Sequence, residues 1–273
     1  MTALKDLDGK VAVVTGGASG IGKGIARRLK AEGMQVLIAD IEPGPLEAAA
    51  AELGVASAPV DVADYDSVEA LAAETLHRFG RVDLVCNNAG VGSTAKIADM
   101  SLSDWRWILG VNLWGVIHGV KAFLPRLLAN PEGGHIVNTA SMSGFTPLAT
   151  LGGYTVSKYG VVALSETLAL ELERDGAKVG VTVLCPGPVR SNIKASSRNR
   201  PAELGGGALA DADLEHDPIA ARMRWLDPDE VGEIVVRAVR RGDLYALTHP
   251  EMAPQVEARF EAIAAAFRQA SGT

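Results

Sequence analysis

The chain has little cysteine, few aromatic residues and no block of like charge. Its 273 residues include two cysteines, and Phe, Trp and Tyr together make up 5%. Neither Cys86 nor Cys185 lies in a metal-binding spacing, and nor do the five histidines, so we expect reduced thiols and no metal site. The net charge is -7 without a basic run, which argues against a nucleic-acid partner.

An unbroken apolar run of membrane-spanning length is also missing. The longest apolar segment, Ile108 to Leu128, contains Asn112, His118, Lys121 and Arg126. A membrane span would bury these polar groups without partners, so the segment is predicted to be a buried helix. The N-terminus lacks the basic start and apolar stretch of a secretory signal. We therefore expect a cytoplasmic protein with no membrane association.

Strands and helices alternate along the chain, and 48% of the residues are hydrophobic, enough for a large core. This alternation predicts an α/β fold: a doubly wound parallel sheet of the Rossmann type, in a single domain over 1–273. Weak periodicity and three successive glycines predict a mobile substrate loop at about 187–227. Strands are expected at 11–15, 35–40, 56–60, 82–86, 135–140, 178–184 and 244–248. Helices are expected after the glycine turn at 16–22 and at 45–53, 65–79, 103–129, 154–174, 230–240 and 255–267.

A glycine-rich turn, Thr15 to Gly22, joins the first strand to the first helix. Amide groups and the helix dipole at such a turn can hold a dinucleotide pyrophosphate. A tight turn without a ligand is the alternative. Asp40 ends the second strand, where a carboxylate can accept hydrogen bonds from the adenosine ribose, although it also fits an ordinary strand-end turn. Because that carboxylate repels a 2'-phosphate, NAD is predicted as the cofactor and NADP is less favoured.

Tyr154 and Lys158 lie four residues apart on a predicted helix, so they project from one face. Proton transfer at a carbonyl or alcohol oxygen suits a phenol whose pKa a nearby ammonium lowers. Ser141 ends the preceding strand beside the expected nicotinamide, and Asn112 is a polar residue within an apolar helix. Taken singly, each residue also fits a structural role: a solvated helix face, a strand-end turn or a capped amide.

The motifs together resemble the short-chain dehydrogenase/reductases, over about Lys10 to Gly187. The resemblance implies that Tyr154 is the acid/base, Ser141 binds the substrate oxygen and Lys158 grips the ribose. It also implies that Lys158 lowers the tyrosine pKa and that Asn112 holds a water of a proton relay. The residues predicted to bind the cofactor are Gly16, Ser19, Gly20, Ile21, Gly22, Asp40, Asp61, Val62, Asn88, Ala89, Gly90, Tyr154, Lys158, Pro186, Gly187 and Val189.

The substrate is expected over Tyr154, between the segments after Gly90, Ser141 and Gly187. A bulky, mostly hydrophobic secondary alcohol or ketone is predicted. Arg198 and Arg200 are interpreted as solvated loop charges, with an anion-binding role as the alternative, and His249 as a surface residue. The residues predicted to contact the substrate are Ser141, Met142, Phe145, Leu148, Leu151, Tyr154, Met223 and Trp225.

The helices that carry Trp105, Trp107 and Trp114, and Val161 to Leu170, are apolar on more than one face. The family resemblance implies a homodimer or homotetramer built through these two helices. Two other functions stay open. One is an NAD-sensing protein of the same fold without catalysis, and the other is an epimerase or dehydratase that recycles its cofactor.

Overall fold

The structure, a computed structural model, describes residues 2–211 and 223–271. Its sheet has seven parallel strands in the order β3-β2-β1-β4-β5-β6-β7. The strands are β1 (Val11–Thr15), β2 (Gln35–Asp40), β3 (Ala56–Pro59), β4 (Leu84–Asn87), β5 (Gly134–Thr139), β6 (Val179–Cys185) and β7 (Tyr245–Leu247). All seven predicted strands are present, with ends shifted by at most two residues.

Helices cover both faces of the sheet, which confirms the doubly wound Rossmann architecture. One apolar cluster joins α1, α2 and α7 to the sheet, and a second joins α3, α5 and α6 to its other face. The α-helices are α1 (Gly20–Ala31), α2 (Pro43–Leu53), α3 (Tyr65–Phe79), α4 (Leu102–Leu109), α5 (Gly115–Ala129), α6 (Gly152–Arg174), α7 (Pro228–Arg241) and α8 (Ala253–Ser271).

The strand order reverses beside β1. The chain runs outward from β1 to β2 and β3, then returns to pair β4 with the other edge of β1. In open parallel sheets, the connections that leave the two neighbouring strands at such a reversal run to opposite faces of the sheet. A crevice therefore forms between them at the carboxyl ends of the strands. The fold therefore places the glycine turn after β1 next to the turn after β4.

The helix predicted at 103–129 is divided. A π-helical turn, Gly110–Trp114, separates α4 from α5 and points the buried Asn112 inward. The Asn112 amide holds the backbone of Val91 through two hydrogen bonds of 2.8 and 2.9 Å, which favours the wide turn. Leu102–Ala129 is long and apolar enough to cross a membrane, but half of its most apolar window is buried in the fold, as in a core helix.

The described part of the predicted substrate loop contains 3-10 turns at Asn192–Asn199 and Ala202–Leu204. An antiparallel bridge between Thr94 and Ala210 and a parallel bridge between Val189 and Leu226 attach this stretch to the domain. We call residues 190–211 the cover segment. Residues 212–222 of the predicted loop lie outside the described residues, and its mobility stays a prediction.

Candidate active site

A crevice at the carboxyl edge of the sheet collects most of the predicted site residues. It encloses about 1050 Å³ including its open mouth, which suits a cofactor and substrate. The cover segment forms one wall and the strand ends form the floor. The predicted residues that line it are Gly16, Ser19, Gly20, Ile21, Asp40, Asp61, Val62, Asn88, Ala89, Gly90, Tyr154, Lys158 and Pro186.

The glycine turn is built by close backbone approach. A Cβ on Gly16 would lie 2.8 Å from the Ala89 Cα, and one on Gly22 would lie 2.1 Å from the Gly16 carbonyl oxygen. Gly16 also has a φ of +67°, which other residues rarely adopt. These glycines are therefore required by the protein's own packing, in addition to the phosphate approach on which the sequence argument rested.

The N-terminus of α1 at this turn is free of competing groups. Its N-cap residue, Ser19, makes no side-chain capping bond, and the first turn carries no acidic residue. Amide groups of a first helical turn that lack a capping acceptor, together with the helix dipole, favour an anion. The turn therefore fits a pyrophosphate.

Asp40 lies at the far end of the crevice. Its carboxylate accepts hydrogen bonds from the amides of Ala18 (3.1 Å) and Glu42 (3.2 Å). Burial nevertheless raises its pKa, because the charged form loses hydration. Asp40 therefore links the end of β2 to the glycine turn and presents a half-buried acceptor at the crevice wall.

A chain of hydrogen bonds connects the glycine turn to Lys158. The Thr15 hydroxyl accepts from the Asn88 amide, and the Asn88 side-chain amide donates to the Thr15 carbonyl, both at 3.0 Å. Asn88 Oδ1 in turn accepts from the Thr139 hydroxyl, and the Thr139 carbonyl accepts from Lys158 Nζ at 2.9 Å. Thr15 and Thr139 were not among the predicted site residues, although their positions at strand ends were a usable signal.

Tyr154 and Lys158 begin α6 one turn apart, as the spacing predicts. Lys158 Nζ lies 5.5 Å from the centre of the Tyr154 ring, and both side chains face the crevice that the glycine turn lines. Ser141 lies two residues beyond the end of β5 with its side chain buried, and its hydroxyl lies beside the phenol, where it lowers the pKa of Tyr154. The Ser141 hydroxyl also accepts from the Ser143 amide at 3.1 Å, which fixes its direction.

The pKa values of this pair differ from the simple expectation. Burial raises the pKa of Tyr154, and the Ser141 hydrogen bond opposes that rise. Burial also lowers the pKa of Lys158 to about 8, because an ammonium group is hydrated poorly there. Desolvation is therefore the largest influence on the Tyr154 pKa, and its lowering by the neighbouring amine stays a prediction.

Asn112 lies beneath the crevice and does not line it. Besides its bonds to Val91, its amide approaches the Ser157 hydroxyl at 3.3 Å. A Cβ on Gly90 would lie 3.2 Å from Asn112 Oδ1 and 3.7 Å from Lys158 Nζ, so the two polar groups flank that glycine. The water between Asn112 and Lys158 stays a prediction.

Three predicted cofactor residues lie behind the crevice wall. Gly22 packs against the glycine turn, and Val189 is buried in the core on the α1 and α7 side of the sheet. Gly187 packs against the His249 ring, where a Cβ would lie 2.6 Å from Nδ1. These three residues shape the crevice from behind.

The apolar residues predicted to contact substrate are not gathered in the crevice. Met142 is buried in a cluster with Val161 and Val183, and the Phe145 ring packs against Tyr245 at 6.0 Å. The expectation placed the whole segment after Ser141 over Tyr154, whereas its side chains divide between the core and the surface. None of these predicted substrate residues lines the crevice: Met142, Phe145, Leu148, Leu151, Met223 and Trp225.

Two arginines fasten the cover segment: Arg200 is largely buried, contrary to its interpretation as a solvated charge, whereas Arg198 is paired but stays exposed. Arg198 forms a two-pronged pair with Glu42 at 2.7 and 2.8 Å, and both residues line the crevice beside Asp40. Arg200 pairs with Asp104, whose side chain is fully buried, and stacks 5.5 Å from the Trp107 ring. Sequence alone gave no signal for either pair.

The described crevice fits a dinucleotide. It offers uncapped amides for a pyrophosphate at its middle, the Asp40 carboxylate at one end and the half-buried Tyr154 phenol near the other. Among residues 2–211 and 223–271, no group of three or more His, Cys, Asp or Glu side chains could hold a metal ion.

Comparisons with known proteins agree with this geometry. A family model described as short chain dehydrogenase matches residues 10–202. The C alpha-dehydrogenase of Sphingobium sp. (strain NBRC 103272 / SYK-6) is 34% identical over 267 residues, covering 95% of this chain and 87% of the relative. The 3beta-hydroxysteroid dehydrogenase 2 of Eggerthella lenta is 35% identical over 242 residues, covering 84% and 91%. A solved short chain dehydrogenase/reductase from Burkholderia phymatum, in complex with NAD, is 37% identical with a TM-score of 0.87, covering 94% and 95%.

Proposed function

The chain belongs to the short-chain dehydrogenase family, and from that premise we propose that it is an NAD-dependent dehydrogenase of secondary alcohols. It is an oxidoreductase with a nicotinamide-binding fold. The observation that carries the proposal is the shared crevice of the uncapped glycine turn and the Tyr154–Lys158 pair, of which Lys158 is buried and Tyr154 half-buried. Such a crevice can hold a dinucleotide and move a proton at one place.

Tyr154 handles the proton at the substrate oxygen. The phenol donates its proton to that oxygen during ketone reduction, and the phenolate accepts a proton from it during alcohol oxidation. The Ser141 hydroxyl holds that oxygen and favours the phenolate by hydrogen bonding. Lys158, charged below its pKa of about 8, adds a positive charge beside the ring and binds the ribose hydroxyls. Bound NAD supplies the hydride acceptor.

The proposed choice of NAD rests on the adenosine end of the crevice. Asp40 presents a carboxylate there, and Glu42 adds a second one beside it. Arg198 is the cation at this place among the described lining residues, and Glu42 already holds it on both prongs. A 2'-phosphate would therefore face two carboxylates without an available counter-charge.

We propose a bulky, mostly hydrophobic alcohol or ketone as substrate. Support comes from the crevice next to Tyr154, where Val91, Val111 and Ile193 present apolar surface, and from the steroid named in the relative's description. We further propose that the protein is cytoplasmic and forms a homodimer or homotetramer. The assembly is supported by Trp114 at the end of the π-helical turn and Leu170 on α6, which expose most of their surface. A single species of monomer mass at micromolar concentration would contradict the assembly.

The two rival functions predict different products. An NAD-sensing protein needs no proton carrier, yet Tyr154 and Lys158 line the crevice together, with Ser141 beside the phenol. An epimerase or dehydratase returns its cofactor unchanged, so it forms no net NADH from a simple alcohol. Both are therefore separated from a dehydrogenase by the same absorbance measurement.

The test is a panel of aromatic, terpenoid, steroid and small polar secondary alcohols with NAD or NADP, followed at the NADH absorbance. We expect turnover with NAD and bulky alcohols, and its loss by a factor of about 10³ or more in Tyr154→Phe. Tyr159→Phe is the matched control, because Tyr159 lies on the same helix and its hydroxyl donates to the Phe145 carbonyl instead. Undiminished turnover in Tyr154→Phe would overturn the assignment.

A further inference from the structure

His249 joins the two ends of the stretch that carries the cover segment. It follows β7 and is only 3% exposed, whereas the sequence placed it at the surface. Its Nδ1 lies 3.2 Å from the Gly187 amide nitrogen, and its Nε2 lies 3.0 Å from the Arg224 carbonyl oxygen. Gly187 precedes the cover segment and Arg224 follows it, so one imidazole contacts both ends.

The two contacts define one tautomer of the ring. A carbonyl oxygen only accepts, so Nε2 must carry the hydrogen that it donates to Arg224. In the neutral ring Nδ1 is then an acceptor, and it faces the Gly187 amide and the Thr248 hydroxyl, the latter at 2.6 Å. In this tautomer of the neutral ring, both nitrogens of His249 are hydrogen-bonded, Nδ1 as an acceptor and Nε2 as a donor.

The Gly187 contact leads toward the reacting oxygen. The ring is so close that a Cβ on Gly187 would lie 2.7 Å from the imidazole Cγ, hence Gly187 cannot move without moving His249. One residue earlier, the Pro186 carbonyl accepts from the Met142 amide at 2.9 Å and from the Ser141 hydroxyl at 3.4 Å. His249 thus supports the backbone on which Ser141 rests.

The Arg224 carbonyl is held by fewer hydrogen bonds than the backbone near Leu226. Further along the chain the Leu226 amide donates to the Pro188 carbonyl, and the Arg190 amide donates to the Leu226 carbonyl, both at 3.1 Å. These bonds form a short neck beneath the cover segment. At Arg224 itself, the hydrogen bond from His249 is what holds the backbone carbonyl.

We propose that His249 is a positioning residue that fastens the backbone on both sides of the cover segment, at Gly187 and Arg224, and supports Ser141 through Gly187 and Pro186. The proposal rests on the proposed function only for its kinetic consequences. The fastening itself, which we call the clasp, is a property of the protein without substrate. The two ring nitrogens have separate tasks: Nε2 restrains the cover segment, and Nδ1 sets the backbone beside the proton-transfer site.

Two conservative variants separate these tasks. His249→Asn keeps an acceptor near the Nδ1 position but is too short to reach Arg224. We expect tryptic cleavage after Arg190, Lys194 or Arg198 to speed up on the order of ten-fold, with kcat nearly unchanged. His249→Gln keeps a donor near the Nε2 position and removes the ring acceptor for Gly187, so that amide keeps only its 3.1 Å bond to the Thr248 hydroxyl. We expect kcat to fall on the order of ten-fold, with little change in cleavage.

The matched control is His135→Ala. His135 is buried in β5, at the other end of the strand from Ser141, and its Nε2 contacts Thr182 at 2.8 Å. Cleavage and kinetics are measured for all variants well below their melting temperatures. The proposal is overturned if both His249 variants only lower the melting temperature, as the control does, and move neither cleavage nor kcat. If the wild type oxidises no alcohol, the proposed function fails, and the cleavage comparison still decides the clasp.

Discussion

The floor and the cover of the crevice are held by different kinds of contact. The floor is backbone at strand ends, tied by buried groups such as Thr15, Asn88 and Thr139. The cover segment is attached chiefly by side chains, in the Arg198–Glu42 and Arg200–Asp104 pairs, and by one backbone bridge between Thr94 and Ala210. Strand ends cannot move without disturbing the sheet, whereas side-chain pairs can open one at a time. Changes in the floor should therefore alter cofactor binding itself, and changes in the cover should alter local stability and access.

The two cover pairs are themselves unequal. Asp104 is fully buried and accepts from the Ser101 amide (2.8 Å) and the Ala208 amide (3.1 Å) as well as from Arg200. The Glu42 side chain is 24% exposed and that of Arg198 is 40% exposed, so water screens their attraction. We expect the buried pair to contribute most of the cover's stability.

The largest effect should follow from Asp104→Asn. It leaves Arg200 without its carboxylate in a place where only 11% of the arginine side chain is exposed, so the free energy of unfolding should fall by about 3 kcal/mol in urea denaturation. Asp229→Asn is the control, because its pair with Arg27 is exposed and should contribute less than about 1 kcal/mol. An equal loss of unfolding free energy in Asp104→Asn and Asp229→Asn would show that the buried pair stabilises the protein no more than an exposed pair does.

The same pair predicts an acid-sensitive contribution. Burial opposes ionisation of Asp104, but the hydrogen bonds from Arg200 and Ser101 outweigh it and lower its pKa from 3.8 to about 2. A carboxyl whose pKa is lower in the folded state stabilises the fold above its unfolded value. The contribution should therefore be complete above pH 3.8 and disappear toward pH 2 in the wild type, and be absent from Asp104→Asn.

The next largest effect belongs to the floor. Gly22→Ala would bring a Cβ within 2.1 Å of the Gly16 carbonyl oxygen, so the glycine turn must shift. We expect the Kd for NADH, measured by fluorescence titration, to rise about 100-fold, because the phosphate amides lose their alignment. Gly44→Ala on α2 is the control, since a Cβ there meets nothing within 4 Å. Unchanged binding in Gly22→Ala would mean that the floor tolerates movement after all.

The smallest effect should come from Arg198→Gln. The exposed pair with Glu42 closes the adenosine end, and its loss should speed NADH release by no more than about three-fold in stopped-flow displacement. Arg27→Gln, a variant of an exposed arginine paired with Asp229, should leave release unchanged. A change of ten-fold or more would show that side chains of the cover control the cofactor as strongly as the floor does.

The floor could be predicted from the sequence because its signals are local. The glycine turn, Asp40 and the Tyr154–Lys158 spacing each follow or begin a periodic element, and parallel strands bring such positions to one edge. The cover could not be predicted in this way, because Glu42 and Arg198 are 156 residues apart and Asp104 and Arg200 are 96 apart. Charge alone does not indicate which distant partner a loop arginine will take.

The side-chain directions of the apolar residues predicted to contact the substrate could not be derived from the sequence for a related reason. Composition identified Met142, Phe145 and Leu148 as hydrophobic, but direction decides what a side chain contacts. Met142 turns into the core, Phe145 meets Tyr245, and Leu148 is 54% exposed. In a non-repeating segment no periodicity gives that direction.

The π-helical turn at Gly110–Trp114 explains a pattern that the sequence already contained. Asp104, Ile108, Asn112, Val116 and Val120 are all buried at strict steps of four residues. In a regular α-helix those four steps would carry the stripe about 160° around the axis, and the extra residue of the wide turn takes back about 100°. The π-helical turn thus keeps Asp104, which pairs with Arg200 of the cover segment, and Asn112, which holds the Val91 backbone, on the same buried face of the span. Deletion of any single residue between Asp104 and Asn112 would rotate one of these two side chains away from its buried partners. The length of this span is therefore constrained more tightly than the identity of the residues between them.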